Sequence, residues 1–110
     1  MTPFERGLVA HLVADWILQN DWMAVNKTSL RHPAAWTHAA IQGLCLALAL
    51  GWLGGLVLGI LHLLIDTRVP VDWWIRVFKK CGRAPETSSI VIWLDQTLHI
   101  GCIALWVTLN

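Results

Sequence analysis

Apolar positions in this chain fall into long blocks, and the polar positions inside those blocks recur at helical spacing. The strongest block runs from Ala34 to Thr67, and its 34 residues are too many for one crossing of a bilayer. Gly51-Trp52-Leu53-Gly54-Gly55 punctuates it and predicts a tight turn between two antiparallel helices, over about 34–51 and 54–69. Pro70 ends the second of these. A further span is expected over about 88–109, opened by Thr87, Ser88 and Ser89 as capping residues. The earliest, about 4–25, carries Leu8, Val9, Leu12, Val13, Trp16, Ile17 and Leu18, but also His11, Asp15, Gln19 and Asp21. Alone it would insert poorly; in a bundle its polar stripe can face inward. The segment 70–83 mixes Val71, Trp73, Trp74, Ile75, Val77 and Phe78 with Arg76, Lys79, Lys80 and Arg83. It reads as an interfacial helix at the lipid headgroups. The expected fold is therefore all-α, one integral-membrane domain over 1–110: a four-helix transmembrane bundle with a short interfacial helix between spans three and four.

Composition supports a membrane protein. The 110 residues are 56% hydrophobic and 14% charged, with eight Trp and no Tyr, and the mean hydropathy is +0.58. A soluble globule of this size lacks the polar groups to cover its surface. The net charge of +1 argues against a nucleic-acid partner and against disorder. The lipid bilayer is the expected partner, with a homo-oligomer or a larger membrane complex also open. No cleavable signal peptide is read at the N-terminus, so insertion would rest on the spans. Lys27, Arg31, Arg68, Arg76, Lys79, Lys80 and Arg83 fall on one side of the expected spans and only Arg6 on the other. That bias predicts a multi-pass protein with both termini extracytoplasmic. Cys45, Cys81 and Cys102 form no CxxC pair and are read as unpaired thiols. Gly51, Gly55 and Gly59 follow the small-xxx-small spacing of close helix packing. The Trp residues outside the 73–74 pair fit an aromatic belt.

The chemistry sits in three repeated pairs. His11/Asp15, His62/Asp66 and Asp95/His99 each place an imidazole and a carboxylate four residues apart, on one helix face. His38 adds a fourth imidazole, Gln19 and Gln42 extend two of the stripes, and Gln96 adjoins Asp95. An ionisable group in hydrocarbon costs roughly 2.5–3.5 kcal/mol, so seven of them need one another or a bound ion. With antiparallel spans, all seven fall within roughly 5–20 Å of the same membrane face. His11, Asp15, His38, His62, Asp66, Asp95 and His99 supply donors for one or two divalent ions, Zn²⁺, Mn²⁺ or Fe²⁺. Gln19, Gln42 and Gln96 would support them from the second layer. A metal-free His–Asp network, a tetrapyrrole ligand set and a proton path stay open beside that reading. His32, Asp21, Asp72, Glu5 and Glu86 read as solvated.

At these residues the chain resembles a known family. HLVADWILQNDWMAVNK, then HAAIQGL, HLLID and DQTLH occur in an order similar to the domain of unknown function 3307. The resemblance implies small bacterial and phage integral-membrane proteins, hence the bacterial inner membrane. Its polar signature would be His11, Asp15, Gln19, His38, His62, Asp66, Asp95, Gln96 and His99. It implies no activity, and members often carry Lys shortly after the HLLID-type motif, where this chain has Arg68. A looser similarity, in His/Asp-rich short spans, is to bacterial membrane-bound metal-dependent hydrolases. The functional expectation is a membrane-embedded metal-binding protein; if it is an enzyme, a hydrolase acting on a lipid-phase or membrane-associated substrate. The alternative is a non-catalytic accessory subunit of a larger membrane complex, with a structural or pigment-ligating core.

Overall fold

The computed structural model describes residues 1–79 and 87–110, with side chains of the last helix from Ile90 onward. Every regular element among them is helical. Helix α1, Pro3–Leu12, starts at a Thr2 cap: Oγ1 accepts from the Glu5 amide at 3.2 Å and donates to Glu5 Oε1 at 3.0 Å. Pro3 opens the helix, where its missing N–H costs nothing. The chain then widens into a π turn, Val13–Ile17, closed by Leu18 N–H donating to Val13 O at 3.0 Å. Asn20 restarts the chain as α2, Asp21–Asn26, with Oδ1 accepting from Met23 N–H at 3.0 Å. Helix α3 is Pro33–Leu50 and α4 is Trp52–Asp66. Helix α5, Val69–Trp74, runs on into a second π turn, Ile75–Lys79, and α6 is Thr87–Leu109.

The α3–α4 hairpin turns on one residue. Gly51 sits at φ 93°, ψ 164°, a conformation open almost only to glycine. A Cβ there would meet nothing within 4 Å, so Gly51 serves the backbone and not the packing face assigned to it from the spacing. Gly55 and Gly59 do pack: added Cβ atoms would lie 2.5 Å from the Ala47 Cβ and 3.1 Å from the Gly43 Cα. The pairings Ala47–Gly55, Gly43–Gly59 and His38–His62 make α3 and α4 antiparallel. Gly7 packs against Leu50 and Ile103, and Gly54 against Trp106. Helix α1 therefore packs antiparallel against α3 and touches α6, and α6 packs antiparallel against α4. Leu46, Leu58 and Ile103 form the apolar core near the hairpin end.

The expected first span over 4–25 is not one helix. The π turn, Gln19 and the new cap at Asn20 break it, and α1 itself is 10 residues, about 15 Å. Among the described residues, two helices are long and apolar enough to cross a membrane, α3 and α6 over Ile90–Leu109. A third joins them if α4 and the segment Val69–Lys79, bent by 56°, count as one. The all-helical expectation holds in that coarser form, in place of four clear crossings. Large apolar side chains point outward (Leu44, Leu48, Trp36, Trp93 and Leu105 are all more than half exposed), while the polar groups are inside. Trp74 stacks on Phe78, with Trp73 edge-on to Phe78, on the expected interfacial segment, whose Lys80, Cys81 and Arg83 lie outside the described residues, as does Glu86. The side chains of Thr87, Ser88 and Ser89, expected as caps, also lie outside them. Cys45 and Cys102 are free and half-buried.

Candidate metal centre

Each i, i+4 pair meets on its own helix: His62 Nε2 lies 2.8 Å from Asp66 Oδ2, His11 Nε2 3.5 Å from Asp15 Oδ2, and His99 Nδ1 3.5 Å from Asp95 Oδ2. The antiparallel packing then brings the pairs and His38 together. All seven residues are between 0% and 6% exposed, in a chain whose outside is apolar.

The tightest group is His38, His62, Asp15 and Asp66, from α3, α4 and the first π turn. His38 Nε2 and His62 Nε2 face each other at 2.9 Å. Asp15 Oδ1 lies 3.0 Å from the first and 3.8 Å from the second, and Asp66 Oδ2 lies 3.4 and 2.8 Å away. With both carboxylates ionised, no placement of the imidazole protons satisfies this arrangement. If His62 carries the Nε2 proton, the His38 lone pair faces the Asp15 carboxylate. If His38 carries it, the His62 lone pair faces Asp66. If both carry it, two N–H groups collide head-on. A cation accepts all four lone pairs at once. A tetrahedral ion with bonds near 2.0–2.1 Å sets its ligand atoms about 3.3 Å apart, in the middle of the observed spread.

Two groups satisfy the proximity a shared ion needs, Asp15–His38–His62 and His62–Asp66–His99. Asp66 joins them: Oδ2 faces His38 and His62, and Oδ1 lies 3.4 Å from His99 Nε2. Asp66 Oδ1 and both His99 nitrogens are buried without a hydrogen-bond partner. Asp95 contacts His99 and belongs to neither group.

His11 occupies a supporting position. Its Nδ1 lies 3.3 Å from Gln42 Oε1 and its Nε2 3.0 Å from Gln96 Oε1. Gln42 Nε2 donates to Asp15 Oδ1 at 2.8 Å and to the His11 carbonyl at 3.1 Å, and Gln96 Nε2 donates to Asp15 Oδ2 at 3.2 Å. The two amides therefore hold Asp15 from both oxygens. Gln19 stands apart from this network: the π turn ends α1 before the next turn of the stripe, and Gln19 Oε1 is buried without a partner beside a cavity.

That cavity, about 140 Å³, is lined by Asp15, Gln19, Lys27, Arg68, Asp95 and Gln96 among others. Two cations there were assigned from the sequence only to the charge bias. Lys27 Nζ is 4.0 Å from Asp66 Oδ1, and Arg68 Nε is 3.9 Å from Asp95 Oδ1. Their proximity in sequence to the HLVAD and HLLID motifs was the available signal. Arg68 caps α5 at φ 68°, a left-handed backbone uncommon for a side-chain-bearing residue. His32, expected in solvent, instead caps α3, with Nδ1 accepting from Ala34 N–H at 3.0 Å and its ring edge-on to Trp22.

A family model described as "Protein of unknown function (DUF3307)" matches residues 4–110, nearly the whole chain. No curated protein and no solved structure matches.

Proposed function

The chain belongs to the DUF3307 family, which brings no activity with it, and we propose that it is a membrane-embedded metalloprotein that holds a divalent transition ion between the first π turn, α3 and α4. Asp15, His38 and His62 hold one ion, with Asp66 Oδ2 within 3.4 Å of both imidazoles, and His62, Asp66 and His99 offer a second position. The observation that carries this reading is the 2.9 Å approach of two imidazole Nε2 atoms flanked by two carboxylate oxygens, which no placement of the imidazole protons relieves while the carboxylates are ionised. Charge supports it: three buried carboxylates face two cations, Lys27 and Arg68, and a divalent ion offsets the remaining anion. Nitrogen and oxygen donors without thiolate suit Zn²⁺, Mn²⁺ or Fe²⁺.

The reaction class we assign is hydrolysis, for which such an ion supplies Lewis acidity and an activated water. Asp95 is the carboxylate left for proton transfer. It is 3% exposed, its Oδ1 has no hydrogen-bond partner, and it lines the cavity beside the ligands. Elemental analysis of the full chain purified in detergent tests the reading. One or two equivalents of transition metal are expected, lost in a His62→Ala/Asp66→Ala variant that remains helical. A wild-type protein that stays metal-free after incubation with Zn²⁺, Mn²⁺ and Fe²⁺, with a melting temperature none of them raises, refutes it.

A further inference from the structure

From the cavity beside the ligands we infer that the substrate of this site is a phosphate ester, its phosphoryl group held between Lys27, Arg68 and the metal; this rests on the metal reading above. Lys27 and Arg68 reach the site from two separate turns, the one after α2 and the one between α4 and α5. Each approaches a carboxylate without closing on it, at 4.0 and 3.9 Å, and Arg68 Nε is buried with no hydrogen-bond partner. Cations held at that separation leave donors free for an anion placed between them.

Charge decides the class of ligand. With a divalent ion in place, the ion and two side-chain cations outweigh the three carboxylates by one positive charge, in a pocket beside the buried ligands. A neutral ester or amide brings nothing to offset that charge, whereas a phosphoryl group does. A guanidinium fork also matches two phosphoryl oxygens at once. The volume of about 140 Å³ is well below that of a site enclosing a whole drug-sized molecule, so the cavity takes the phosphoryl group and leaves the alcohol portion outside. In the reaction, a water oxygen adds to phosphorus and the bond from phosphorus to the alcohol oxygen breaks. One proton of the water passes to Asp95 and then to the departing alkoxide. A monoester yields inorganic phosphate and an alcohol. The alcohol is either a lipid or a water-soluble group, since both present the same phosphoryl chemistry.

The test uses the full chain in detergent, loaded with Mn²⁺, whose unpaired electrons broaden the phosphorus resonance of any phosphate held beside it. Inorganic phosphate and dihexanoyl phosphatidic acid are titrated separately. Saturable broadening of either supports the inference, and the probe that saturates at lower concentration identifies the aqueous or the lipid source. Lys27→Gln and Arg68→Gln are each expected to weaken that affinity about ten- to a hundredfold, with Mn²⁺ content and helicity retained; Arg68→Lys keeps most of it. Using both variants guards against misfolding in one. Bound Mn²⁺ with no saturable phosphate broadening, or wild-type affinity in both Gln variants, overturns the inference and leaves the metal reading standing. A chain that binds none of Mn²⁺, Zn²⁺ and Fe²⁺ overturns both.

Discussion

Gln42→Met isolates the support that the second layer gives to the metal ligands. Gln42 is fully buried, and Met replaces its amide with a side chain of similar length and flexibility that donates nothing. The change removes one donor from Asp15 Oδ1 (2.8 Å), one from the His11 carbonyl (3.1 Å) and the acceptor facing His11 Nδ1 (3.3 Å). Only the first touches a ligand directly. A hydrogen bond to a charged group contributes about 1.5–3 kcal/mol. Loss of an outer-layer partner at a metal site typically weakens binding about ten- to a hundredfold, or about 1.4–2.7 kcal/mol. The two scales agree, so a ten- to hundredfold rise in the Zn²⁺ dissociation constant is expected. Competition against a chromophoric chelator in detergent measures it. Gln96→Met is the comparison: its bond to Asp15 is longer, at 3.2 Å, and the half-buried site admits water in its place. Its loss should be smaller, about three- to tenfold. An unchanged Zn²⁺ affinity in Gln42→Met, in a protein that folds, would refute the reasoning by showing that Asp15 is not held as a ligand.

Other substitutions test the frame and the chemistry separately. Asp95→Asn should keep its full metal content and lose phosphate-ester hydrolysis; retained turnover would remove Asp95 from proton transfer. Gly51→Ala should destabilise by about 1–3 kcal/mol in thermal unfolding, because its backbone conformation excludes a Cβ even in open space. Gly55→Ala should cost about 1–3 kcal/mol by a different route, forcing α4 off Ala47 and the Gly43 carbonyl. Gly101→Ala, with nothing within 4 Å, should instead gain up to about 1 kcal/mol of helix propensity, and a loss there would show that the outer face of α6 is packed.

What the sequence by itself determined is local. Apolar blocks and the glycine-rich break place α3, α4 and α6 close to the expected spans, because helix formation and capping depend on neighbours within a turn. Four-residue spacing likewise fixes each His/Asp pair on a single helix face, as the 2.8 Å His62–Asp66 contact illustrates. Tertiary structure decided the rest. The π turn at Val13–Ile17 cuts the first span short and leaves Gln19 outside the hydrogen-bonded network, a choice that depends on packing against α3. That His38 faces His62, that Asp66 reaches both His62 and His99, and that His11 is held between Gln42 and Gln96 all follow from how antiparallel helices dock. Lys27 and Arg68 look in the sequence like ordinary loop charges; only the folded chain aims them at the carboxylates. Periodicity along one helix specifies which way a side chain points, but the distance between groups on different helices depends on crossing geometry, which close glycine contacts set.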